Sequence, residues 1–70
     1  MLPLNFADVG KEVIIQKIGG NPQTRKHLEN LGFVVGGTAT VLTTIDGNLI
    51  VKVKEARVAL NTEMAQKIMI

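Results

Sequence analysis

The chain has 70 residues and no cysteine, so it is one domain near the lower size limit for a self-supporting apolar core, with neither a disulfide nor a thiolate metal site to staple it. Eight basic against six acidic residues leave a formal charge of +2, weak support for nucleic acid, and the apolar 46% is almost wholly aliphatic, Phe6 and Phe33 being the two aromatics. No apolar run approaches the roughly 18 to 20 residues of a membrane span, and residues 1–5 lack the basic start and long apolar stretch of a signal peptide, so the cytoplasm is the expected location.

Residues 12–18, Glu-Val-Ile-Ile-Gln-Lys-Ile, are rich in β-branched side chains and too short for a helical pattern. They predict one strand with apolar residues on both faces for part of its length. Asn21-Pro22 then reads as an N-cap with proline at the first helical position, and Gly32 as the left-handed residue that ends the helix, which predicts a helix over residues 22–31. Thr24, Leu28 and Leu31 fall at i, i+4 and i+7, so a narrow stripe packs inward while Arg25, Lys26, Glu29 and Asn30 stay in water. Gly36-Gly37 is expected to supply positive φ for a sharp turn into a Thr/Val/Leu strand over residues 38–45.

Asp46-Gly47 is the strongest hairpin signal in the chain and leads into a return strand over residues 48–54. Its alternation turns Leu49, Val51 and Val53 inward and Lys52 and Lys54 outward. A second turn near Glu55-Ala56 opens a short strand over residues 57–60, Asn61 caps a helical turn near residues 62–66, and Ile68-Met69-Ile70 closes as a strand. The expected fold is mainly β: a single-domain, SH3-like barrel of about five strands spanning residues 1–70, with one inserted helix, since closure removes exposed sheet edges.

Chemistry is sparse. The chain has neither serine nor cysteine for nucleophilic catalysis, and His27, its only histidine, lies on the polar side of the helix, so no enzyme and no catalytic residue is expected. Six carboxylates are scattered without ligand spacing, which predicts no metal site within one chain and no cofactor. Lys52, Lys54 and Arg57 cluster at the second turn, either as the solvent face of a hairpin or as a phosphate-contacting patch, and without Tyr or Trp there is no stacking platform for bases. Leu28, Leu31 and Phe33 are either core or part of an apolar groove between helix and barrel; for Leu28 we expect partial burial at a groove lip.

Leu4 to Gly10, the strand after it, Arg25-Lys26-His27-Leu28-Glu29-Asn30-Leu31-Gly32-Phe33, the turn at Gly36, the Asp46-Gly47 hairpin and Arg57-Val58-Ala59-Leu60 followed by Met64-Ala65 and Ile68 together resemble the ferrous iron transport protein A family, FeoA. Val35 departs from the proline that family members often carry, and the turn at Glu55-Ala56 lacks a glycine. The resemblance implies a cytoplasmic SH3-like barrel that works with the ferrous iron permease FeoB, a membrane protein with a cytosolic GTP-binding domain. The expected role is therefore non-enzymatic and accessory, by contact with the cytosolic region of FeoB, with Arg25, Lys26, Leu28, Leu31, Phe33, Lys52, Lys54 and Arg57 as candidate contact residues. The alternatives are a stand-alone domain related to the C-terminal domain of DtxR-type metal-dependent repressors, or a small nucleic-acid-binding barrel. Weak self-association stays open for so small and aliphatic a chain.

Overall fold

Residues 12–18 of the computed structural model, which describes residues 1–70, form two strands instead of one. β1 (Glu12–Ile14) pairs antiparallel with β3 (Thr38–Ile45), whereas β2 (Lys17–Ile18) pairs with β6 (Ile68–Met69). The chain changes sheets between them: Ile15 N–H donates to the Gly37 carbonyl at 2.8 Å, and Gln16 N–H to the Met69 carbonyl at 2.7 Å. Such a corner is how a strand serves two crossed sheets. The consecutive apolar run at residues 13–15 cannot turn every side chain inward on a pleated strand. Ile15 is buried and Ile14 is left 55% exposed, so the expected cover on both faces fails at Ile14. The split raises the strand count from about five to six.

The helix forms where its caps predict, as α1 (Pro22–Asn30) with Leu31 as its C-terminal cap. Asn21 Oδ1 accepts the Thr24 N–H at 2.8 Å. At the other end the Phe33 N–H donates to the Leu28 carbonyl at 3.0 Å and the Gly32 N–H to the Glu29 carbonyl at 2.9 Å, a Schellman arrangement built on Gly32 at φ 111. Beyond it only Gly36 of the Gly36-Gly37 pair has positive φ, so the expectation for Gly37 is corrected. A side chain at Gly37 would instead press on Val34, 3.1 Å from its carbonyl oxygen and its Cγ2.

β3, β4 (Asn48–Val53) and β5 (Ala56–Asn61) form a meander, and with β1 they make a sheet ordered β1-β3-β4-β5. Asp46 and Gly47 join β3 to β4 with φ of 48 and 79, the left-handed pair that a tight hairpin requires. The β3–β4 register slips between Val41 and Thr43. This bulge reverses the side-chain alternation, which is why Ile45 ends 54% exposed although it lies an even number of residues from the buried Ala39 and Val41. The second turn is Lys54-Glu55, one residue earlier than expected, with Lys54 at φ 55 in place of the missing glycine.

α2 (Thr62–Ala65) is capped by Asn61, whose Oδ1 accepts the Met64 N–H at 2.8 Å. The Thr62 hydroxyl donates to the Gly47 carbonyl at 2.7 Å and fastens this helical turn to the tip of the β3–β4 hairpin. Leu2 and Ile70 exchange backbone hydrogen bonds at 2.9 and 2.7 Å beside a Pro3–Met69 bridge, tying the two ends of the chain together. A 3-10 turn at Leu4–Phe6, which no local sequence signal marks, buries Leu4.

The core is twelve buried residues, all apolar. Leu49, Val51 and Val53 contribute as their alternation predicts, and Leu28 is the one buried residue of α1. Leu31 packs against this core from a partly buried position and Thr24 is half-buried, so the helix stripe lies where the spacing put it.

Candidate functional site

The eight candidate contact residues fall into three settings. Leu28 and Phe33 are 0% exposed, which corrects the expectation that Leu28 lies partly buried at a groove lip. The physical reason is that a nine-residue helix with one apolar stripe and a single leucine needs that leucine fully covered to stay docked. Arg25 and Lys26 are exposed on α1, and Leu31 is half-buried behind them. Lys52, Lys54 and Arg57 are exposed at the β4–β5 end.

A groove does lie between helix and barrel, of about 470 Å³. Arg25 and Glu29, one helical turn apart, make its polar wall; Ile18, Val34 and Val35 make the apolar side, with Phe33 beneath. Leu28 and Leu31 do not line it. Ile18, Glu29, Val34 and Val35 were missed as candidates, although the apolar pair Val34-Val35 between a helix stop and a glycine turn was a signal. Two consecutive residues there cannot both face the core, and Val35 is 64% exposed. A shallower concavity of about 420 Å³ joins Leu2, Val13, Ile14 and Ile70 with Glu12 and Gln16.

The basic cluster is set by register. Across the solvent face of the four-stranded sheet, Glu12 stands opposite Thr40, Thr40 opposite Lys52, and Lys52 opposite Arg57. Two cations are thus direct cross-strand neighbours, an arrangement that costs stability. Lys54 lies in the adjoining turn, and its stem crosses the end of α1, with Cδ 3.7 Å from where a Cβ on Gly32 would stand. Lys52→Glu is therefore expected to leave the fold intact and to raise stability by about 0.2 to 1 kcal/mol, by replacing a like-charge pair with an opposite one. Urea denaturation checks this, and unfolding of the variant would mean that the assigned register is wrong.

No group of three or more His, Cys, Asp or Glu side chains comes together, and His27 is exposed on α1. What the surface offers is an apolar groove with one charged wall, a basic hairpin end and an open sheet edge, all features suited to contact with another molecule.

A four-stranded antiparallel sheet turned by a corner onto a second strand pair, with one inserted helix, defines an SH3-like barrel. The same fold is seen in FeoA of Stenotrophomonas maltophilia, described in complex with zinc as an SH3 domain protein; it superposes with a TM-score of 0.85 over 99% of this chain and 88% of its own, at 20% identity. A crystal structure of an iron uptake regulatory protein, also FeoA, gives a TM-score of 0.87 at 28% identity, covering 96% of this chain and 89% of the other. ScaR with bound Zn2+ gives 0.85 at 26% identity over 97% of this chain but 35% of its own. In sequence, the FeoA domain model matches residues 2–70, and a Methanocaldococcus jannaschii protein provisionally named Fe(2+) transport protein A is 33% identical over 70 residues, 100% of this chain and 85% of that protein. The chain belongs to the FeoA family.

Proposed function

We propose that this chain is a non-enzymatic accessory protein of ferrous iron uptake that works in the cytoplasm by contact with the cytosolic region of a FeoB-type permease. The observation that carries this reading is the family match through residues 2–70, joined to a relative named for Fe(2+) transport. Two features support contact as the mode of action. No helix is long and apolar enough to cross a membrane, and the titratable side chains form no ligand cluster, so iron would be moved and held by a different protein. The exposed Arg25, Lys26, Lys52, Lys54 and Arg57 supply charged surface for a partner, whereas Leu28 and Phe33 act from beneath by holding α1 in place.

The test is ferrous iron uptake under anoxic conditions in cells with the chain deleted and restored, alongside co-purification with the cytosolic region of the permease from the same genome. Uptake is expected to fall on deletion and recover on restoration, with the two proteins co-purifying. Unchanged uptake together with no association would remove this reading. The fold likeness to a manganese-dependent transcriptional repressor, with a TM-score of 0.84 at 23% identity over 38% of that chain, offers a second one, a repressor-type module, and tight salt-dependent binding to duplex DNA would support it.

A further inference from the structure

β5 is hydrogen-bonded on one side only, at the end of the order β1-β3-β4-β5, so the expected removal of exposed edges by closure is not met there. Its register with β4 starts from the pair Val53↔Ala56 that closes the Lys54-Glu55 turn, and bonded and non-bonded pairs alternate from there. Ala56, Val58 and Leu60 therefore turn their backbone groups toward β4, and Arg57 and Ala59 turn theirs outward. Nothing else in the chain bonds to the outward N–H and C=O of Arg57 and Ala59.

Edge strands are ordinarily blunted by a charged side chain, a proline, a bulge, an inward-pointing charge or a covering element, and the exposed Arg57 is the one such device on β5, a charge that repels a cationic strand and admits an acidic one. β5 has no proline, keeps an unshifted register along its length and leaves Ala56, Arg57 and Ala59 exposed. It is a template for another strand, and the charge beside it says which kind. A strand added outside β5 would place one side chain next to Arg57, in line with Lys52, the like-charged neighbour on the other side. A carboxylate there would face Arg57 directly, with Lys52 one strand further at about 10 Å and acting only through its longer-range field, and Lys54 stands in the adjoining turn, while the small Ala59 leaves room for a branched side chain two positions along.

We propose that the free edge of β5 is a strand-addition site for an extended acidic segment of a partner protein. The segment's backbone pairs with Arg57 and Ala59, and its Asp or Glu side chain faces Arg57, with Lys52 in line one strand further. This rests on the protein-contact reading above and adds where contact is made and by what chemistry.

The test is an NMR titration of the full chain with a short capped peptide, Thr-Glu-Thr-Val-Thr, which carries glutamate and valine two positions apart on one face, and, in a separate arm, with the permease's cytosolic region. Saturable shifts centred on β5, with slowed exchange of the Arg57 and Ala59 amides, are the expected result. Ala59→Pro removes an outward donor without touching the β4 ladder and should weaken peptide binding by about tenfold or more. Methylating alternate backbone nitrogens of the peptide should do the same, and this arm decides should Ala59→Pro fail to fold. Lys52→Glu with Arg57→Glu should weaken binding and flatten its salt dependence.

Absence of saturable binding overturns the proposal, as does binding indifferent to the backbone changes, which would be plain charge attraction. Shifts confined to the α1 groove overturn it too, as do β5 shifts that grow with protein concentration alone, which would mean self-pairing. If the permease region binds without affecting β5, the accessory role stands and this site falls. If the peptide binds β5 and the permease region does not, the site stands and the choice of permease falls.

Discussion

Leu28→Ala is expected to lower the stability of this domain by about 2 to 5 kcal/mol, the range for truncating a covered leucine. The residue is 0% exposed and is the only buried side chain on α1, so its loss leaves a cavity where the helix is most deeply anchored. Its carbonyl also accepts the Phe33 N–H that closes the Schellman turn, so loosening the helix loosens the entry to β3. Domains of this size hold a margin of only about 5 to 15 kcal/mol, and each kcal/mol moves the midpoint by about 4 to 8 °C. Thermal denaturation should show a drop of about 10 °C or more. Leu28→Met, which keeps the volume, should cost less than about 1.5 kcal/mol. Equal midpoints for Leu28→Ala and the parent chain would take Leu28 out of the core, and any binding loss in the alanine variant is read only against Leu28→Met.

Gly32→Ala is expected to cost about 1 to 3 kcal/mol, because φ of 111 is a conformation that L side chains rarely adopt. A Cβ at this position would stand 3.4 and 3.5 Å from the two methyl groups of Val53, which is ordinary contact, so backbone strain and not collision sets the cost. Gly36 supplies the control: its φ is 87 and nothing lies within 4 Å of its would-be Cβ. The two alanine variants should therefore lose similar amounts in urea denaturation. Valine should separate them, since its added methyl groups crowd Val53 at Gly32 and meet open space at Gly36. Equal losses for both valine variants would show that the packing of α1's end on β4 is slack.

That packing joins the two parts of the candidate surface. Gly32 lets the chain leave the helix with its backbone against Val53, while Lys54, the turn residue just after β4, lays its stem across the same point. The helix cations and the hairpin cations are thus placed by one contact between segments far apart in sequence. This contact could not be read from spacing, because nothing local marks which strand lies against a helix end.

Much of the fold was legible beforehand where the signals are local. Asn21 and Asn61 cap their helices through side-chain oxygens, Gly32 ends α1, Asp46-Gly47 turns the hairpin, and alternation in β4 separates Val51 and Val53 from Lys52. Each is decided within a few residues by backbone sterics or by the period of two along a strand. The same sequence carries the family, since the FeoA match runs through residues 2–70 and does not hang on one motif.

What the tertiary structure alone decided is where continuity breaks and what is covered. Residues 12–18 divide at Ile15 because two sheets compete for their backbone groups. The slip near Leu42 turns Ile45 outward, and Leu28 is sealed by joining one core with residues of strands distant in sequence. The free edge of β5 belongs to the same class: pairing depends on which strands meet, so a segment that reads as an ordinary strand shows its unpaired side only once the sheet is assembled.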